Sequence, residues 1–363
     1  VILVVFLIEE FLNNEKIAID GYLNDYFSNL NTNQGEILLK DFIAQLQEFV
    51  LNKKAKRLHP ILMVAAFVGI INPIYLDVQL DYIRKVSIAV EFLHSGHLIH
   101  DDLIDDDETR RGQPTFHHQL INELNEVYKH LDITNKEETL KLYGRDMSIL
   151  GGSQGYLLGL DVIKNAKFPE HLKLLAINEY SAAMEFLLKG QILEEYMKYH
   201  HLTMTLEQYL NIAEMQRARL MEKSAKIGAI LAKGNIHYQI DPLSEAMLRI
   251  GQAYAIRDDI LDMRNDIKNQ LKKVLYILAV QNTDQEQSRT LNEIFHKDSV
   301  SNQDIETVER IYAETNAVII AEHFSKNLIS QAKGYLKDIY PDLNKQQKIF
   351  FNEFSDYIYM REF

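Results

Sequence analysis

His100-Asp101-Asp102-Leu103-Ile104-Asp105-Asp106-Asp107-Glu108-Thr109-Arg110-Arg111-Gly112 is the stretch whose reading decides the fold. Acidic residues crowd positions 101 to 108, two apolar residues interrupt them, and two arginines follow. On a helix, at about 100° per residue, Asp101, Asp102 and Asp105 fall within an arc of about 100° and share one face. Hard oxygen donors grouped in this way suit Mg²⁺, which binds through one or two carboxylates, keeps waters and carries phosphates. Arginine forks match phosphate oxygens in pairs, so Arg110 and Arg111 extend the same site toward an anion. The stretch reads as half of a metal–diphosphate site, and that reading needs a helix beneath it.

That helix is predicted immediately upstream, where Ile83, Val86, Val90 and Leu93 recur at helical spacing. Earlier still, Lys53-Lys54-Ala55-Lys56-Arg57-Leu58-His59-Pro60 forms a basic loop whose proline suits a helix start. Residues 61–71 are nearly all apolar and predict a helix buried on every side, ended by Pro73. Ile37, Leu38, Phe42, Leu46, Phe49 and Val50 make one stripe of an amphipathic helix. The apolar octet Val1 to Ile8 lacks a basic leader and a cleavage site and is too short to cross a bilayer. It is expected to pack as a helix on the body or on a partner.

Downstream, residues 122–141 are polar and charged and are expected to form a surface insertion. Gly151-Gly152-Ser153-Gln154-Gly155 has neither the lysine nor the preceding strand of a phosphate loop, so its small residues predict close helix packing. Helical periodicity resumes over 171–198 and 206–232, and no run alternates as strands do. With no low-complexity linker, the expectation is a single all-α domain over 1–363, a helical bundle around a central cavity.

Composition agrees. The chain has 363 residues, 47% of them hydrophobic, ample for a core, and only 6 prolines and 15 glycines interrupt its helices. Cysteine is absent, which rules out disulfides and thiolate metal sites and fits a reducing, cytoplasmic setting. A net charge of −13 disfavours nucleic acid as a partner. No segment has transmembrane length.

The second half of the site lies in Gly251-Gln252-Ala253-Tyr254-Ala255-Ile256-Arg257-Asp258-Asp259-Ile260-Leu261-Asp262, which repeats the Asp-Asp-x-x-Asp spacing within an apolar helix. Six carboxylates converging in a low-dielectric cleft would repel one another strongly without cations. Here the chain resembles the trans-isoprenyl (polyprenyl) diphosphate synthases, which condense allylic diphosphates with isopentenyl diphosphate. The resemblance runs from about residue 50 to about residue 280. Its most specific part runs from Glu91-Phe92-Leu93-His94 through the first aspartates to Arg110-Arg111-Gly112-x-Pro114-Thr115. Gly190-Gln191 and Lys223-Ser224-Ala225 are similar to two further elements of that family.

The resemblance implies an isoprenoid-synthase fold and an Mg²⁺-dependent prenyltransferase. Asp101, Asp105 and Asp258, supported by Asp102, Asp259 and Asp262, would hold three Mg²⁺ on the allylic diphosphate. Arg110 and Lys223 would touch that diphosphate, with Ser224 where threonine is usual and Gln191 nearby. Lys56, His94 and Arg111, with the loop residues Arg57 and His59, would take isopentenyl diphosphate. Lys272 or Lys273 would match a further diphosphate lysine. Gly96 and His97, with Leu93 one turn deeper, would bound the cavity for the growing chain. An open position at Gly96 leads to an expected product of twenty carbons or longer. A homodimer through helices near the middle of the chain is implied as well, with a heteromer as the variant.

Departures from the family pattern gather at substrate contacts. Ala55 replaces a glycine, His59 an arginine, Ala255 a glutamine and Ser153 an aspartate, and the loop after Asp262 is short. A histidine at 59 has no bidentate fork, and its grip on a diphosphate should weaken as pH rises. These departures make a low-activity or regulatory subunit of a heteromeric synthase the alternative. A class I terpene cyclase is disfavoured because the second motif is again Asp-Asp-x-x-Asp. The His94, His97, His100 series spreads over about 120° of helix face and is a poor metal set.

Overall fold

The computed structural model describes residues 2–33, 37–200 and 202–360. It is 81% helical, so the expected all-α class holds. In chain order come α1 (Ile2–Asn33), α2 (Ile37–Val50), α3 (Leu58–Ile70) and α4 (Leu76–Ile104). A short antiparallel hairpin, β1 (Thr109–Arg110) with β2 (Gln113–Pro114), precedes α5 (Phe116–Val127), α6 (Lys136–Lys164) and α7 (Glu170–Tyr199). Then follow α8 (Leu206–Ala213), a π turn at Glu214–Ala218, α9 (Arg219–Leu231), and a second π turn at Ile236–Ile240. The chain continues through α10 (Asp241–Leu261), α11 (Met263–Lys268), α12 (Val274–Val280), α13 (Gln285–Ile294) and α14 (Asn302–Glu314) to α15 (Ala317–Lys337) and α16 (Lys345–Met360).

Two compact units emerge. One comprises Phe6–Met184 with Ser224–Gly234, the other Glu185–Lys223 and Asn235–Phe363 with Val1–Val5. In the first, α4 packs against α3 and most extensively against α6. The α3 run from Pro60 to Phe67 is fully buried, as its all-round apolar character requires. The α4–α6 crossing is glycine-lined: a Cβ at Gly96 would stand 2.6 Å from the Gly152 carbonyl oxygen, and one at Gly155 would stand 3.0 Å from the Gly96 Cα. The small residues of 151–155 thus serve close helix packing. Residues 122–141, expected as a surface insertion, form the end of α5, a 3-10 turn, a loop and the start of α6, and all but the buried Leu140 are exposed or half-buried.

In the second unit, α10 is the central element, packed on α15, α16 and the π turn at Glu214–Ala218. Gly251 meets Ala218 of that turn at 2.5 Å from its would-be Cβ, so the π turn and α10 touch backbone to backbone. Of the N-terminal octet, Val1 lies outside the described residues, and among its side chains only that of Ile8 is described, buried in the core. In the expected stripe of α2, Leu46 and Val50 are buried and Phe42 and Phe49 half-buried, while the Ile37 and Leu38 side chains lie outside the described set.

Candidate active site

The first aspartate motif occupies the C-terminal end of α4. Asp105 caps that helix, its N–H donating to the Asp101 carbonyl at 2.9 Å. Carboxylates at the last turn of a 29-residue helix oppose its macrodipole, whose C-terminal end favours cations. The three are not equivalent: Asp102 is buried, Asp101 half-buried and Asp105 exposed. Arg110 returns to them from β1, because the hairpin turns at Arg111 (φ 55) and Gly112 (φ 73), both in the left-handed region. Its Nη2 donates to Asp101 Oδ2 at 3.1 Å and its Nε to Asp102 Oδ1. Burial pushes the Asp102 carboxyl up to about 6 against the pull of Arg110, and its Oδ2 has no partner.

The basic loop divides its labour. Lys56 is exposed, whereas Arg57 is buried, donating to Asp20 at 2.8 Å, to the Val50 carbonyl at 2.7 Å and to Glu91. The expectation that Arg57 joins a substrate site is therefore corrected: its guanidinium ties α1, α2 and α4 together beneath the loop. His59 and His94 face each other with ring centroids 4.7 Å apart. Burial pushes His59 down to about 4, Glu91 opposing and Arg111 adding; burial, then His59 and Arg111, holds His94 well below its ordinary value. Both rings are half-buried, and their lowered values favour the neutral form at neutral pH.

Gly96 also departs from expectation. It faces α6 rather than open space, its would-be Cβ also 3.0 Å from the Tyr156 ring, so it leaves no vacancy for a growing chain. His97 and Leu93 are buried, and burial lowers His97 to about 4. His100 sets Nε2 3.1 Å from the Ile149 carbonyl.

In the other unit, the second motif ends α10, again with its third aspartate, Asp262, at the C-cap. Here too the middle residue is spent inside the protein. Asp259 is buried, accepting from the Tyr209 hydroxyl, from Arg217 Nη1 at 3.2 Å and from the Val274 N–H at 3.4 Å. Arg217 Nη1 also lies 3.9 Å from Asp258, which is half-buried, while Asp262 is exposed. Burial alone would lower the Arg217 pKa, but Asp259, Tyr209 and Asp258 together raise it. Of the two lysines left open by sequence, Lys273 approaches this motif, 2.9 Å from Asp266 and 4.0 Å from Asp259, whereas Lys272 lies over the Tyr276 ring. Burial, opposed by Lys273, pushes Asp266 up to about 6.

Lys223 is buried, with Nζ 3.3 Å from Glu222 and 6.0 Å from the Phe186 ring centroid. Gln191 is buried and accepts from Gln216 at 3.3 Å; Ser224, in the other unit, is buried as well. Gly190 makes room for Gln216, whose Cγ would stand 2.6 Å from a Cβ there.

Arg217 and Tyr209 were missed from sequence. A π turn has no compositional mark, and it is the extra residue of that turn that delivers Arg217 to Asp259. Neither aspartate motif forms a cage of three ligand atoms by itself among the described residues. With Asp102 and Asp259 turned inward, each motif offers its outer carboxylates, which suits an ion completed by water and phosphate. The oxygen donor set and its place at helix C-termini both fit Mg²⁺.

The architecture is that of the all-α isoprenoid synthases. The structure is similar to geranylgeranyl pyrophosphate synthase from Corynebacterium glutamicum, determined in complex with isoprenyl diphosphate and magnesium, with a TM-score of 0.85 at 21% identity over 96% of this chain and 99% of that one. In sequence the chain is 28% identical over 283 residues to the short chain isoprenyl diphosphate synthase of Methanocaldococcus jannaschii, covering 73% of this chain and 74% of that one. It is 24% identical to the geranylfarnesyl diphosphate synthase of Aeropyrum pernix over 95% of this chain and 99% of the relative. The polyprenyl synthetase family model matches residues 40–315, and the chain belongs to that family. No helix among the described residues is long and apolar enough to cross a membrane.

Proposed function

We propose that the chain is a trans-prenyltransferase that joins isopentenyl diphosphate to an allylic diphosphate, giving an all-trans prenyl diphosphate and pyrophosphate. One observation carries this reading. Both Asp-Asp-x-x-Asp sequences end a helix, bury their middle aspartate on an arginine and leave the outer two at the surface of that helix end.

Cleaving an allylic C–O bond builds negative charge on the departing diphosphate, and three bound Mg²⁺ would supply Lewis-acid stabilisation of that charge. Asp101, Asp105, Asp258 and Asp262 would hold these ions. Asp102 and Asp259 keep Arg110 and Arg217 in place. Arg110 and Lys223 add preplaced cations for the same leaving group, and Gln191, Ser224 and Lys273 or Lys272 line its approach. Lys56, His59, His94 and Arg111 would grip the second diphosphate. Water must be excluded from the carbocation, which calls for an apolar, closed pocket.

The whole chain, 1–363, is read as one catalytic domain working in the cytoplasm. A product of twenty carbons or longer now rests on relatives such as the geranylfarnesyl synthase rather than on Gly96. A second reading, a low-activity or regulatory subunit, draws on the neutral His59–His94 pair.

The test is product analysis. Purified chain, Mg²⁺ and isopentenyl diphosphate are incubated with dimethylallyl, geranyl or farnesyl diphosphate in turn, with Asp101→Ala and Asp258→Ala as controls. Elongated diphosphates, reduced 100-fold or more in the controls, are expected. No elongation with any primer would overturn the catalytic reading, and elongation only on adding a second subunit would favour the regulatory one.

A further inference from the structure

One group of metal-binding side chains has no part in the site above. Asp106, just past α4, and His117 and His118, in the first turn of α5, each bring a ligand atom within 4.8 Å of the other two. No other group of three His, Asp or Glu among the described residues is drawn so close. His117 is 4% exposed, and its Nε2 is buried without a hydrogen-bond partner.

Thr115 determines which nitrogen is available. Its hydroxyl donates to the Asp107 carbonyl at 2.6 Å, so it can only accept from His117 Nδ1, 3.3 Å away. Nδ1 therefore carries the proton and Nε2 the lone pair. This is how a hydrogen bond on one ring nitrogen prepares the other as a ligand. A buried acceptor left unpaired costs about 1–3 kcal/mol, which a cation would relieve. Burial pushes His117 down to about 4, with His118 adding and Asp106 opposing, so the ring is in its neutral, ligating form. The His118 ring lies 4.5 Å from that of His117 and is half-exposed, giving an ion a route in.

We propose that Asp106, His117 and His118 form a second metal site, sharing no ligand with the aspartate motifs, that takes a Zn²⁺-class ion with solvent as the fourth ligand. Two imidazoles and one carboxylate favour Zn²⁺, Co²⁺ or Ni²⁺ over Mg²⁺. Ligands held at about 2.0–2.2 Å from such an ion stand roughly 3.4 Å apart, so the group must contract on binding. Asp106 can move: it is exposed, on a turn with φ 56. Occupation would staple the end of the first aspartate stretch to α5, reinforcing what the Thr115–Asp107 bond does already.

The test uses untagged full chain, stripped with chelator and titrated with Co²⁺ in millimolar Mg²⁺. One equivalent of Co²⁺ per chain, with visible bands of a four-coordinate nitrogen-bearing site and a raised Tm, is expected. His118→Ala and Asp106→Asn should each weaken Co²⁺ binding tenfold or more without shifting the metal-free Tm. His118→Ala could disturb α5, and the exposed Asp106→Asn then decides. Absence of saturable binding below millimolar Co²⁺, binding that Mg²⁺ displaces, or binding that both variants retain would each overturn the proposal.

Discussion

Arg57 and His59 stand two positions apart in one basic loop and do opposite work. Arg57 is locked into the protein, so its charge is spent before a substrate arrives. His59, near its value of about 4, carries no charge to offer at neutral pH. If a diphosphate binds beside His59 and His94 as proposed, its negative charge would favour proton uptake by these rings, with Glu91, Arg110, Arg111 and His97 setting the local field. The KM for isopentenyl diphosphate should rise several-fold from pH 6 to 9 while that for the allylic partner changes less, and His59→Arg should flatten the profile. Steady-state kinetics with each substrate varied in turn would show this, and parallel pH profiles would refute it. Stability has its own signature. Folded values below the ordinary 6.5 mean that the unfolded chain binds more protons between about pH 6.5 and 4, so stability is lost as pH falls through that window. Melting curves at pH 7, 6 and 5 should show this loss, and it should be smaller in His59→Gln. At Arg217, replacement by Gln leaves Asp259 buried without its main cation. A loss of roughly 2–4 kcal/mol in urea unfolding is expected, against about 1 kcal/mol for Tyr209→Phe.

Helix pairs obey a different constraint, that of contact distance. Gly96 sits where α4 and α6 touch, and adding a single methyl there collides with the Gly152 carbonyl at 2.6 Å. Gly96→Ala should cost about 1–3 kcal/mol and lower Tm, whatever it does to products. Gly334 in α15 and Gly21 in α1 have nothing within 4 Å of a would-be Cβ, so alanine at either should stabilise by about 0.5–1 kcal/mol. Thermal melts of the three variants give opposite signs if close approach, rather than helix propensity, decides at Gly96. The sequence made the packing role of residues 151–155 legible through their small size. It could not say that Gly96 was the other side of that contact, since partner helices are chosen by tertiary packing.

At the scale of the whole molecule, α6 shows two unlike faces. Its glycines and Ser148 turn inward, while Leu142, Ile149, Leu150 and Leu157 lie within about 100° on the opposite side and are exposed, Leu157 to 60%. An apolar stripe of that kind is a candidate face for the homodimer that the family resemblance implies. Leu150→Glu with Leu157→Glu should give a monomer by sedimentation velocity with helicity unchanged; an unaltered sedimentation coefficient would argue against that face. Much of the molecule was readable beforehand: the helical class, the buried α3 and both aspartate motifs follow from periodicity and spacing. What was not readable depends on the folded environment. Asp102 and Asp259 look identical to their neighbours in sequence, yet in the fold they are buried and paired with arginines. The hairpin that aims Arg110 is only two residues per strand, too short to leave an alternating pattern.

The π turn at Glu214–Ala218 is a place where the chain can change length by one residue without losing helix register. Such a turn holds one residue more than an α-helical ladder requires. Removing a single residue, for example Met215, would let Leu206–Leu231 run as one uninterrupted α-helix, and the helix on either side would keep its phase, because the wide turn is what absorbs the extra residue. Arg217, inside the turn, would lose Asp259, while Lys223, in the helix that follows, would keep its direction. Point substitutions in this segment change one contact each, whereas a deletion of one codon would erase the bulge that carries Arg217 and leave the register on either side intact.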